Sequence, residues 1–293
     1  MSIQMLDRPR VQHGHSSPSA RQRQRWNWPA GIAAAIWLVI VAVPVYYIVI
    51  TGFRTQESYI DAGPLDLPRD LTLGNFADLW DLGFPTFLFN SLVVAFGTVL
   101  LVLAVALPAA YAIVRTPNRT IRAAFTMFLL GLAVPAQAVI VPIYLIITRL
   151  HMYDTLTAII LPTAAFSLPI AIVVLTSSLR DIPGELYEAM TVDGATAGRI
   201  FGRLVLPLAR PGLTSVGIFV GLGAWNGFLF PLVLTQSEEQ RVLPLGLWNF
   251  QNQYGTNVPG LMAAVVLSAV PVLALYLFGR RHLLSGLAAG FGK

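Results

Sequence analysis

Six stretches of the chain carry no Asp, Glu, Lys or Arg: those between Arg25 and Arg54, Asp81 and Arg115, Arg122 and Arg149, Asp154 and Arg180, Arg210 and Glu238, and Arg241 and Arg280. Each exceeds the roughly 20 residues that an α-helix needs to cross about 30 Å of hydrocarbon. The pattern predicts six apolar helices, at about 29–50, 87–114, 123–147, 156–179, 213–234 and 261–278. Six crossings put both termini on the same side. The first window is too long for the core of a signal peptide, and no small-residue cleavage site follows it, so it reads as a retained helix.

Prolines punctuate these windows: Pro44, Pro108, Pro135, Pro142, Pro162, Pro169, Pro231 and Pro271. Membrane helices accept proline where neighbours re-satisfy the freed carbonyls. Singly each predicts a kink, and together they predict bent helices around a cavity.

Composition agrees with this pattern. The chain is 56% hydrophobic and 11% charged, against about 25% charged in ordinary soluble domains. Its net charge of +5 is a matter of topology. The segment before Trp26, the loops after the second and fourth windows and the C-terminal end hold fifteen Lys and Arg residues, and the other three loops hold four. By the positive-inside rule both termini are cytoplasmic, and the charge gives no support to nucleic-acid binding. The division that follows is a basic, disordered tail over 1–28, a membrane domain over 29–281 and a cytoplasmic tail over 282–293. The chain has no cysteine, so disulfides and thiolate metal sites are excluded.

The windows hold only neutral polar groups, among them Asn90, Ser91, Gln137, Ser167, Thr176, Thr214, Ser215 and Asn226. Ion- and proton-driven carriers place ionisable side chains inside the bundle. A neutral interior suits an uncharged, hydroxyl-rich solute, with Asn90, Gln137, Trp225 and Asn226 as candidate pathway residues. Taken one by one, such groups more often make hydrogen bonds between helices. Four scattered histidines and the lack of any His-Glu-x-x-His helix or Gly-x-Ser-x-Gly turn argue against a membrane hydrolase.

The long interior loop, 180–211, reads RDIPGELYEAMTVDGATAGRIFGRLVLPLARP and carries eight charges. Placing these at mid-membrane would cost on the order of 20 kcal/mol, so the loop stays in the cytoplasm. Pro183 can occupy a first helical turn. Leu186 and Met190 stand four apart on one face, and Gly194 can end the helix by taking positive φ. A second short helix follows, with Ile200 and Leu204 on one face beside Phe201 and Val205, and Pro207 is expected to stop it. The loop is thus read as two amphipathic helices joined at a glycine, a rigid knob.

Within this loop, Glu188-Ala189-Met190, three residues, Gly194, nine residues, Leu204, one residue and Leu206-Pro207 resemble the EAA signature of ATP-binding-cassette importer permeases. Met190 and Leu204 stand where that family usually has Ala and Ile, and both changes stay apolar. Asp193-Gly194-Ala195-Thr196, Trp225-Asn226 and the ending Gly286-Leu287-Ala288-Ala289-Gly290 resemble the carbohydrate-uptake branch, the maltose-type second permease subunit.

The resemblance implies an all-α membrane protein with the type I importer permease (MetI-like) fold in a bacterial cytoplasmic membrane. It also implies a coupling surface made of Glu185, Glu188, Ala189, Met190, Asp193, Gly194, Leu206 and Pro207. Implied partners are a second, related permease, two copies of an ATP-binding subunit and an extracytoplasmic solute-binding protein. Trp248, Phe250 and Tyr254, in the outer loop between the last two windows, would meet the binding protein; the other reading is interfacial anchoring. The only lysine is Lys293, so the chain has no phosphate loop, and ATP and Mg would be bound by the partner. The implied substrate is a di- or oligosaccharide or a related polyol. The alternative is a stand-alone secondary carrier.

Overall fold

The computed structural model describes residues 28–291 except 62, 64, 65, 68, 69, 117, 253 and 254, with side chains omitted for 249–256 and beyond 277. The expected tail over 1–28 lies almost wholly outside the described residues. Residues up to Val45 form one compact unit, and Tyr46 onward another. The first unit holds the beginning of α1 (Trp28–Gly52), which is apolar all round and carries no charge, as a lipid-facing helix is.

In the second unit, the outer segment forms α2 (Gln56–Asp61) and α3 (Gly74–Asp81). Asn75 ties this segment down by donating from Nδ2 to the carbonyls of Gly52 and Arg54, at 2.9 and 2.7 Å. Those carbonyls lie at and just past the end of α1, where helical partners run out. Arg54 is fully buried and donates from Nη1 to the Gly63 carbonyl at 2.9 Å.

The centre of this unit is a pair of long helices, α4 (Phe84–Arg115) and α7 (Leu156–Arg180). Buried residues recur along α4 at helical spacing: Phe87, Ser91, Val94, Thr98, Val102, Ala106 and Ala110. Ala158, Ala164 and Ala171 are buried on α7. Small residues let two membrane helices approach closely, which is where dispersion gains concentrate without a hydrophobic driving force. Gly97 shows how near they are, since a Cβ there would stand 2.9 Å from Ile160 Cδ1.

The third window is not one helix, as its uniform apolarity predicted. It forms α5 (Arg119–Gly131), a short 3₁₀ turn over Ala136–Val139 and α6 (Ile140–Arg149). The two limbs are bent by 97°. Pro135 stands at the corner in an extended conformation, where its missing N–H and fixed φ cost nothing. Pro108, Pro162, Pro169 and Pro271, in contrast, sit inside continuous helices.

After α7 the cytoplasmic loop forms α8 (Gly184–Val192), α9 (Ala197–Ile200), a π-turn over Phe201–Val205 and α10 (Leu206–Leu208). Pro207 does not stop the second helix as expected. The π-turn lets the Leu206 N–H reach back to the Phe201 carbonyl. The changed register takes up the proline, which could not have continued an ordinary i to i−4 ladder. The chain then turns by 69° into α11 (Arg210–Trp225).

The fifth window is also interrupted, at 226–228, before α12 (Leu229–Leu234). Pro231 lies in the first turn of α12, where its missing N–H leaves no helical bond unmade. Past the outer loop, with α13 (Leu243–Gly246) and a two-residue ladder of Gln251–Asn252 with Gly255–Thr256, the chain enters α14 (Val258–Phe291). The expected tail beginning at 282 is therefore helical to Phe291. Among the described residues four helices are long and apolar enough to cross a membrane singly, and counting each bent pair as one span raises the number to six.

Candidate coupling site and membrane pathway

The knob is built on its turn. Gly194 has φ +74°; its N–H donates to the Thr191 carbonyl at 3.0 Å, and the Ala195 N–H donates to the Met190 carbonyl at 2.9 Å. This pair of bonds is the Schellman arrangement, which needs a left-handed residue at that position. Ala195 and Met190 both pack against the main core, as that motif's apolar contact requires.

The buried face of α8 is set by Tyr187, 2% exposed, together with half-buried Met190. The expected stripe of Leu186 and Met190 is off by one position, because Leu186 is 42% exposed. On the second helix Ile200 and Val205 are buried, and Phe201 and Leu204 half-buried, as their spacing suggested. Glu185, Glu188, Ala189, Asp193 and Gly194 are all exposed, as is Leu206, while Pro207 is half-buried. The knob thus presents three carboxylates and a glycine to whatever it meets.

Sequence reasoning missed what holds the knob in place. The Arg115 guanidinium lies 4.2 Å from the centre of the Tyr187 ring. Such a pair contributes about 0.5–2 kcal/mol, more when water is excluded. One turn earlier on α4, Tyr111 meets Phe201 edge-on at 5.5 Å. Burial pushes the Tyr187 hydroxyl pKa up, with the Arg115 charge opposing.

On the outer side Asn90, a candidate for the solute pathway, is bonded to the outer loop. It is 5% exposed and donates from Nδ2 to the carbonyls of Glu239 and Arg241 at 2.7 and 2.8 Å. Its neighbour Ser91 accepts the Leu243 N–H at 2.8 Å. These bonds fasten the outer loop to the start of α4.

Trp225 is buried at an apolar groove of about 560 Å³ between α4, α11 and α14, lined in part by Val99, Gly221 and Pro271. The lining offers little hydrogen bonding to a hydroxyl-rich solute. Gln137 and Asn226 are exposed; Gln137 lies in the 3₁₀ turn just past the bend of span three, and Asn226 caps α11 at the interruption of span five. Asn226 donates from Nδ2 to the Leu222 carbonyl, on its own helix. Ser167, Thr214 and Ser215 do likewise to carbonyls four residues back, so these polar groups serve their own helices and not their neighbours. Trp248 is 53% exposed, and its ring lies 5.6 Å from that of Phe228, beside the second break. The Phe250 side chain and Tyr254 lie outside the described residues.

A second fastening of the outer loop comes from Asp154, in the turn before α7. Asp154 has φ +61°, and its Oδ1 accepts the N–H groups of Gln236 and Ser237 at 2.8 and 3.1 Å. The Gln236 amide, foremost, holds its carboxyl below the ordinary 3.8. A depressed carboxylate stabilises the fold above its unfolded pKa, and that contribution is lost as pH falls through the folded value. Asp154→Asn keeps a residue tolerant of left-handed backbone. It is expected to lower the melting temperature at pH 7, with the difference from the parent shrinking as pH falls below 3.8 and through the folded carboxyl's own pKa. Melting curves across that range check it. Among the described residues no group of three His, Asp or Glu is placed to hold a metal.

A family model for the binding-protein-dependent transport system inner membrane component matches residues 102–287, from the middle of α4 through α14. The chain belongs to this family. It is 37% identical over 93% of its length to a putative ABC transporter permease of Caldicellulosiruptor sp., covering 98% of that protein. It is 33% identical over 91% of its length to the diacetylchitobiose uptake permease DasC of Streptomyces coelicolor, covering 96% of that protein. The fold matches a chain in the crystal structure of a bacterial ABC transporter that imports the acidic polysaccharide alginate, with a TM-score of 0.78 at 20% identity. That match covers 91% of this chain and 99% of the other.

As a member of this family the chain is a multi-pass inner-membrane permease, a transport subunit and not an enzyme. ATP hydrolysis belongs to a partner ATPase, and a binding protein delivers the solute.

Proposed function

We propose that this permease forms half of the membrane pathway of a saccharide importer. It would pair with a second, related permease, two copies of an ATP-binding subunit and an extracytoplasmic solute-binding protein. The solute is a di- or oligosaccharide or a related polyol. The diacetylchitobiose relative and the Asp193-Gly194-Ala195-Thr196 segment both support that class.

The observation that carries the reading is the knob at Gly194. It is held on one side by Tyr187, Met190 and Ile200 and leaves Glu185, Glu188 and Asp193 bare on the other. In this reading the exposed side seats in the ATPase, Mg-ATP is bound wholly by that partner, and closure of the ATPase pair turns the bundle. The interrupted spans three and five, with Gln137 and Asn226 beside their breaks, are the parts free to change shape around the solute, as discontinuous helices do in transporters. Trp248 faces the binding protein.

Glu188→Arg puts a cation where the seat expects a carboxylate. The complex is expected to hydrolyse ATP while solute uptake falls at least ten-fold, with the amount of permease in the membrane unchanged. Uptake by the purified chain alone in liposomes, driven by an ion gradient, would overturn the reading in favour of a secondary carrier.

A further inference from the structure

The two fastened surfaces lie at opposite ends of the same helix. At its cytoplasmic end α4 grips both limbs of the knob, Tyr187 through Arg115 and Phe201 through Tyr111. At its outer end it grips the loop over 235–246, through Asn90 to two carbonyls and through Ser91 to the Leu243 N–H. Between these ends α4 runs 32 residues without a break, Pro108 included, about 48 Å at 1.5 Å per residue.

Its partner α7 repeats the design. It leads directly into the knob at Arg180, and the turn before its first residue holds the same outer loop through Asp154. Two other routes through the bundle, spans three and five, are interrupted. Span five, which joins the knob to the outer loop by sequence, breaks at 226–228, and span three is bent by 97°. A break cannot carry a displacement along its axis, whereas two packed, continuous helices can.

We infer that Tyr111 and Arg115 are positioning residues for coupling. Through them α4, braced by α7, acts as a strut that makes the outer loop follow the knob. The inference rests on the knob being the ATPase seat. It adds that the outer loop, where a binding protein would sense the state of the transporter, is driven through α4 and not through the span that leads into it. By the same rigid link, a partner docking on that loop biases the knob.

The test uses the assembled complex in nanodiscs, with a spin label at one of two exposed positions introduced into this cysteine-free chain, Val192→Cys on the knob or Glu239→Cys on the outer loop. Both labels are expected to change mobility or distance when ATP and vanadate trap the closed ATPase. In the Tyr111→Leu, Arg115→Met variant the label at 192 still responds, and the response at 239 falls at least five-fold. Tyr111→Phe with Arg115→Lys, which keeps the ring and the cation, restores it. Ser91→Ala, at the far end and away from the knob, is expected to weaken the response at 239 in the same way.

An undiminished response at 239 in both the cytoplasmic and the outer variants would overturn the strut. A label at 192 that stays silent in the parent complex while ATP is hydrolysed would instead overturn the seat.

Discussion

Gly194→Asp is expected to lower solute uptake ten-fold or more, while the permease still accumulates in the membrane near its parental level. The turn itself accepts the change. A Cβ on Gly194 would meet nothing within 4 Å, so the only local cost is left-handed backbone at φ +74°. That cost is about 1–2 kcal/mol for an ordinary residue, and Asp, whose short side chain bonds locally, sits at the low end. The two Schellman bonds use backbone groups and survive.

The large effect therefore arises outside the chain. In the proposed reading the open space at Gly194 is where the ATPase would close in, and a carboxylate there adds to the exposed Glu185, Glu188 and Asp193. Gly202→Ala is the control. A Cβ at Gly202 likewise meets nothing within 4 Å, but its φ is not positive, and uptake is expected to stay within two-fold of the parent. Uptake assays with immunoblots of the membrane fraction check both. Normal uptake by Gly194→Asp would remove the knob from the coupling role.

Why the knob could be read from the sequence, and the pathway could not, comes down to range. Charge forbids 180–211 the bilayer, and the Gly194 turn is made by residues within five positions of one another, so a local pattern suffices. Spans one, two, four and six were legible for a similar reason, because apolarity and length decide them. The breaks were not. Both limbs of the bent span lie in one charge-free window, and Pro135 looks no different in sequence from Pro162 or Pro169. The latter two are buried against neighbouring helices, which hold α7 straight, whereas Pro135 is exposed at a corner.

The knob's inward face shows the same limit on a smaller scale. Helical spacing allowed Leu186 or Tyr187 to point inward, and Arg115, seventy-two positions away, decides for Tyr187. Arg54 and Asp154 took their places through partners that no local window contains.

Asn90→Leu is expected to loosen the outer loop and lower the stability of the permease by about 2–4 kcal/mol, leaving the KM for solute uptake near its parental value. The leucine side chain has the same branched outline and is somewhat larger, but it cannot donate. The carbonyls of Glu239 and Arg241 would each lose the amide that now reaches them at 2.7 and 2.8 Å. An acceptor left dry costs about 1–3 kcal/mol, and an acceptor that water can reach costs less. Glu239 is exposed and Arg241 half-buried, so one carbonyl rehydrates more readily than the other, which puts the sum in the middle of the range. Ser91 still accepts the Leu243 N–H, and Asp154 still holds Gln236 and Ser237. The loop is therefore loosened between fixed points and not released.

Cleavage within 236–246 under limited proteolysis should rise several-fold, and the melting temperature of the solubilised complex should fall. A polar group lining the solute path behaves in the opposite way, since its removal raises KM and leaves melting and proteolysis untouched. That outcome would return Asn90 to the pathway and take the outer loop's main fastening away from α4.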